Sequence, residues 1–160
     1  MKIDSKLIII MVGLPARGKS YTSNKIKRYL SWLGYNVKIF NVGNYRRKLL
    51  GNFQNFSFFD NNNIEASKKR ENIALTVFLE LIEWVTNSGE IGIFDATNTT
   101  IYRRNMLDEI CAKYNYKPLY IENICNDNNV IRDNLLMKLT SPDYKNVKEN
   151  LAKKDFYNRL

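Results

Sequence analysis

Residues 7–20 read LIIIMVGLPARGKS, and few folds can accommodate that order. Six apolar residues without a polar break fit a strand buried on both faces. The next eight, GLPARGKS at 13–20, match G-x-x-x-x-G-K-[ST]. Glycines at 13 and 18 let backbone amides turn inward around phosphate oxygens. A helix opening at residue 19 adds the positive end of its dipole. Lys19 would reach the β- and γ-phosphates of ATP, and Ser20 would ligand Mg2+. The competing explanation is a glycine-rich turn with no ligand. A random chain should match this pattern only about once in a hundred or less often.

The rest of the chain alternates in the same way. Residues 19–33 carry Ile26, Tyr29, Leu30 and Leu33 at helical spacing, and Gly34 ends the pattern. VKIF at 37–40 reads as a second strand, and residues 43–60 as irregular and aromatic. Asn61–Asn63 start a long helix from Ile64 to about residue 86, with Ala74, Leu75, Phe78, Leu81, Ile82 and Val85 on one face. IGIF at 91–94 is a third strand, 101–114 a helix, 118–124 a fourth strand and 128–140 a helix. Ser141-Pro142-Asp143 breaks that helix, and 146–159 reads as a last, polar one. Strands alternating with helices predict an α/β fold of three layers, a mostly parallel sheet flanked by helices. With no repeat and no linker, residues 1–160 form one domain.

Charge narrows the partners. The net charge is +9, and all of the excess lies in residues 1–80. A one-sided field attracts anions such as nucleic acid, anionic lipid, nucleotide or sugar phosphate. The longest apolar run, residues 7–14, is too short to span a bilayer, so no membrane partner is expected. Two distant cysteines, Cys111 and Cys125, offer neither a disulfide framework nor zinc spacing, which points to a reducing, cytoplasmic setting. The chain has no histidine, so any general base is a carboxylate or another side chain.

Asp95 stands at the end of the third strand, in IGIFDATN. There it could hold Mg2+ or accept a proton from an attacking hydroxyl; it could also simply cap the next helix. Within NVGNYRRKLL at 41–50, Gly43 and Asn44 are expected to turn the chain back toward the phosphate loop. Arg46 is the first candidate for an anion, Arg47 a second, and Lys48 a solvated neighbour.

Five segments in order, GLPARGKS (13–20), FNVGNYRR (40–47), FDATNTT (94–100), IENIC (121–125) and SPDY (141–144), make the chain resemble the kinase domain of the 6-phosphofructo-2-kinase/fructose-2,6-bisphosphatase family. The resemblance runs from about residue 6 to residue 160. It implies transfer of the ATP γ-phosphoryl group to the 2-hydroxyl of fructose 6-phosphate. By resemblance, Gly13, Leu14, Pro15, Ala16, Arg17, Gly18, Lys19, Ser20 and Tyr21 form the ATP loop, joined by Lys138. Asp95 matches the active-site aspartate, Thr97 a threonine near the sugar, and Cys125 an active-site cysteine. Arg46, Arg70, Arg103 and Arg159 match arginines that hold the sugar phosphate. From the residues alone, Arg70 in KKR would sit on a solvated helix face, Cys125 is as readily a small buried residue, and only one of Arg103 and Arg104 should face the sugar.

The resemblance also implies two core strands beyond residue 160, so the chain reads as a shortened domain with one sheet edge uncovered. The family's histidine-phosphate phosphatase is excluded from a chain without histidine. A homodimer is a candidate assembly. Two alternatives stay open: a polynucleotide kinase-like enzyme that stacks a nucleic-acid end on Tyr45, Phe53, Phe56, Phe58 and Phe59, and a nucleotide-binding regulatory module without activity. Clustering of the basic excess in the phosphate-loop half, without a long basic stripe, makes nucleic acid the weaker partner.

Overall fold

A computed structural model of the chain describes residues 6–51, 58–60 and 62–139, with side chains as far as Met137. Within them the chain runs β1 (Leu7–Val12), α1 (Lys19–Trp32), β2 (Val37–Asn41), α2 (Val42–Leu50), α3 (Ile64–Asn87), β3 (Ile91–Asp95), α4 (Ile101–Lys113), β4 (Leu119–Glu122) and α5 (Asn128–Leu139). The break at 141–143, the polar helix over 146–159, and Phe53 and Phe56 lie outside the described residues. No helix among the described residues is long and apolar enough to cross a membrane.

The four strands form one parallel sheet in the order β2-β3-β1-β4. Side chains on a strand alternate between faces, and the core divides accordingly. Ile8, Ile10, Phe40 and Phe94 point to one side, where α3 and α4 cover them with Val77, Phe78, Leu81, Val85 and Leu107. The Phe78 and Phe94 rings meet edge-on with centroids 4.9 Å apart. Ile9, Met11, Val37, Ile91 and Ile93 point to the other side, against Ile26 and Leu30 of α1. β1 is thus buried on both faces, as its unbroken apolar run requires.

Local signals set the helix boundaries. Asn63 caps α3 by accepting from the Ala66 amide at 3.0 Å. Thr100 caps α4 by accepting from the Arg103 amide at 3.2 Å, so capping that helix is not the task of Asp95. Gly34, at φ 88°, follows α1 and stops it. Leu75 is only half-buried, at the margin of the core face of α3.

One element departs from the expectation. The sequence reads as irregular over 43–60, but its first part, residues 43–50, belongs to α2, so Gly43 and Asn44 lie in the first turn of that helix and do not make a separate turn. The helix was hard to see because Gly43 and Asn44 are poor helix formers placed where a helix starts. The Asn41 side chain supplies the missing signal: it caps α2 by accepting from the Asn44 amide at 2.9 Å.

Gly92 shows how closely α3 approaches the sheet. A β-carbon there would stand 2.8 Å from Leu81 Cγ and from Val85 Cγ2. Gly92→Val is therefore expected to cost about 1–3 kcal/mol by overpacking, read as a lower midpoint in urea unfolding. An unchanged midpoint would mean that α3 lies farther from β3.

Candidate phosphate-loop site

In a parallel sheet all carboxyl ends share one rim, and the order β2-β3-β1-β4 puts the reversal of strand order beside β1 and β3. β1 leads from that rim into residues 13–18, and α1 starts at Lys19. Gly13 sits at φ 140°, Ala16 at 58° and Gly18 at 84°, so the backbone curls into a cradle. A β-carbon on Gly13 would lie 2.6 Å from the Asn123 carbonyl oxygen, so the loop fits only with glycine there.

The cradle is braced from several sides. The Gly13 amide donates to the Thr97 carbonyl at 2.9 Å, tying the loop to the segment after β3. Asn98, 2% exposed and at φ 48°, donates from Nδ2 to the Met11 carbonyl at 2.8 Å. Asn123 donates to Thr22 Oγ1 at 2.8 Å beneath the loop. Asn134 on α5 donates to the Ala16 carbonyl at 3.0 Å. Lys19 Nζ donates to the Leu14 carbonyl at 2.6 Å, which places the ammonium over the loop itself.

Asp95, the last residue of β3, is 4% exposed. Asn41, its register partner at the end of β2, donates from Nδ2 to Asp95 Oδ2 at 2.5 Å and to Ser20 Oγ at 3.5 Å. Lys19, Ser20 and Asp95 therefore stand on one rim of the sheet. A hydroxyl and a carboxylate are hard oxygen donors that suit Mg2+, which binds through few protein ligands and keeps its waters or phosphate oxygens. The residues present thus fit a magnesium–nucleotide.

A second cluster lies along α2, α3 and α4. Arg46 is 7% exposed, with its guanidinium 4.8 Å from the centre of the Phe59 ring. Arg70 donates to the Phe58 carbonyl at 2.6 Å. Burial pulls the Arg70 guanidinium below its usual pKa, and the charges of Glu71 and Asp60 oppose that shift. Arg103 forms an ion pair with Glu71, donating from Nε at 2.8 Å. Arg104 turns away and donates to the Asn98 and Thr99 carbonyls at 3.1 and 2.8 Å. Of the adjacent pair, only Arg103 joins the cluster. Arg70 is held beneath Phe58 and is not on a solvated face. Arg47 bonds its own helix through Asn44 Oδ1, and Lys48 is exposed. Tyr45 ties α2 to α3 through Glu80, and burial with that contact pushes its phenol up to about 12.

Other predicted positions are less informative. Thr97 is exposed beside the loop, and Tyr21 is exposed on α1. Cys125 is half-buried in the loop after β4. Cys111 is buried in the core, and burial together with Asp108 pushes its thiol up to about 12. The side chain of Lys138, and Arg159 entirely, lie outside the described residues. Sequence reading passed over Asn41 and Glu71, and considered Phe59 only as a stacking surface for nucleic acid, whereas its ring seats Arg46. For Asn41 a signal existed: a polar residue at the carboxyl end of a strand flanking the phosphate loop.

Fold and rim together define a P-loop protein of the kinase type. The APS kinase of Mycobacterium tuberculosis superimposes with a TM-score of 0.57 at 12% identity, over 83% of this chain and 95% of that one. More specifically, the chain belongs to the 6-phosphofructo-2-kinase family, whose pattern matches residues 1–160. It is 49% identical over 160 residues to a probable 6-phosphofructo-2-kinase of Schizosaccharomyces pombe, covering 98% of this chain and 24% of that protein. It is 41% identical over 159 residues to a human 6-phosphofructo-2-kinase/fructose-2,6-bisphosphatase, covering 98% and 31%. A Saccharomyces cerevisiae protein named fructose-2,6-bisphosphatase is 44% identical over 160 residues, covering 98% and 35%. The chain spans about a quarter to a third of the length of these relatives.

Gly13→Ala tests the cradle. The clash with Asn123 and the φ of 140° should remove stabilisation by a nucleoside triphosphate in a thermal melt. Undiminished stabilisation would mean that the nucleotide binds elsewhere.

Proposed function

We propose that this chain transfers the γ-phosphoryl group of ATP to the 2-hydroxyl of fructose 6-phosphate, giving fructose 2,6-bisphosphate. The observation that carries this reading is the pairing of two ends of one site. The carboxylate of Asp95 and the hydroxyl of Ser20 meet at the phosphate loop, and the buried Arg46 lies on the helix capped by Asn41, which contacts both.

In this reading the amides of residues 13–18 and the N-terminus of α1 hold the phosphates, with Leu14 to Tyr21 completing the nucleotide loop. Lys19 swings from the Leu14 carbonyl to the β- and γ-phosphates. Bound magnesium, held by Ser20 and Asp95, would supply charge neutralisation for the transferring phosphoryl group. Arg46, Arg70 and Arg103 hold the 6-phosphate, because a planar guanidinium binds two oxygens at once. Glu71 orients Arg103, and the Phe59 ring supports Arg46. Thr97 lies beside the loop, where the sugar would enter. Asp95 accepts the proton of the sugar 2-hydroxyl as the hydroxyl oxygen bonds to the γ-phosphorus, the bond to the β,γ-bridging oxygen breaks and ADP leaves. Lys138 and Arg159 are assigned to the nucleotide phosphates and the sugar by resemblance, and Cys125 to the edge of the site. The same two unpaired cysteines favour a cytoplasmic setting.

One relative named for the bisphosphatase favours a second reading, a nucleotide-binding module that transfers no phosphoryl group. The test is incubation with ATP, Mg2+ and fructose 6-phosphate. The kinase reading predicts an acid-labile, alkali-stable hexose bisphosphate. Lys19→Met should lower its formation at least about a hundredfold. Arg46→Leu should raise the fructose 6-phosphate requirement about tenfold to a hundredfold while sparing ATP binding. Nucleotide binding without product supports the module. A phosphorylated 5′-hydroxyl oligonucleotide would overturn both.

A further inference from the structure

We propose that Asn41 is a positioning residue: one end of its amide aligns Asp95 with Ser20 for a phosphate-bound cation, and the other end caps the helix that carries Arg46. The proposal rests on the nucleotide half of the reading above.

The orientation of the amide follows from its neighbours. The Asn44 backbone amide is a donor, so the atom facing it at 2.9 Å must be Oδ1. The other end then presents two N–H groups. Asp95 Oδ2 takes one at 2.5 Å, and Ser20 Oγ lies 3.5 Å from the same nitrogen. Both are oxygens able to accept, so no other rotamer of the amide satisfies all three neighbours.

The backbone makes this contact repeatable. Asn41 and Asp95 are the register partners that end β2 and β3, so the sheet fixes the separation of their Cα atoms. Asp95 is 4% exposed, and a buried carboxylate needs donors. A lysine or arginine at position 41 would supply donors but would also neutralise the charge and compete with a cation. An amide fixes the carboxylate rotamer and leaves its negative charge available. Asn41 is thus a neutral clamp on a charged ligand, the arrangement by which outer contacts orient metal-binding oxygens.

The same side chain joins the two halves of the site. α2 begins at Val42, and Arg46 follows within its second turn. A change in the tilt of Asp95 reaches α2 through a single amide.

The two ends can be separated by substitution. Serine and aspartate both cap helices well, so Asn41→Ser and Asn41→Asp should both keep α2, with Asn41→Asp lowering the melting midpoint more because it sets a second carboxylate against a buried one. Serine is too short to reach Asp95, and aspartate sets a carboxylate against it. Both variants should lower kcat about 10- to 100-fold, with KM for fructose 6-phosphate within about threefold of the parent. Calorimetry with ADP gives a readout independent of turnover. In Asn41→Ser the gain in ADP affinity on adding Mg2+ should shrink about tenfold, while metal-free affinity stays the same. An unchanged magnesium-dependent gain, or a raised KM at parental kcat, would reduce Asn41 to a helix cap. If serine fails to fold, parental kcat in Asn41→Asp would still overturn the proposal. If the parent makes no hexose bisphosphate, the sugar kinase reading fails, and the ADP measurement still decides the role of Asn41.

Discussion

The parallel pairing of β1 with β3 is the constraint on which the site depends. It sets Ile10 opposite Phe94 and so brings the strand that opens the phosphate loop level with the strand that ends in Asp95. Beyond the strands, the Gly13 amide and the Asn98 side chain continue that pairing into the loops. β2 then aligns Asn41 with Asp95. A site whose parts come from three strand ends inherits its precision from the register, since a slip of one residue would turn Asp95 to the opposite face.

Electrostatics follow from this geometry. The basic excess of the first half of the chain supplies a field that attracts anions. The field does not select among them. In the proposed reading, selection comes from cations at fixed places: the buried Arg46 against Phe59, and the half-buried Arg70 at the Phe58 carbonyl and Arg103 against Glu71. Each guanidinium is oriented before any ligand arrives, which lowers the entropy lost on binding. Asp95 provides the one buried carboxylate among the described residues, at the end of the site where phosphoryl transfer would begin.

Much of this was legible in the sequence, for identifiable reasons. Long apolar runs and glycine punctuation are local signals, so β1, α1, α3 and β3 fell close to their expected bounds. The parallel sheet followed from the alternation, and the phosphate loop from its own residues. α2 was missed because its start is built from Gly43 and Asn44, whose propensities favour a turn, and its cap comes from the strand before it. The Arg103–Glu71 pair and the seat of Arg46 on Phe59 join residues far apart in the chain, and no periodicity reports such contacts. Asn41 was hidden among the many asparagines, because what distinguishes it is its place at a strand end and not its type.

In the proposed reading the nucleotide loop and the arginine cluster are two ends of one site. The most direct measurement is calorimetric titration of fructose 6-phosphate into the chain saturated with Mg2+ and a non-hydrolysable ATP analogue. Saturable binding at one sugar phosphate per chain is expected. Absence of sugar binding while the nucleotide analogue binds would contradict it.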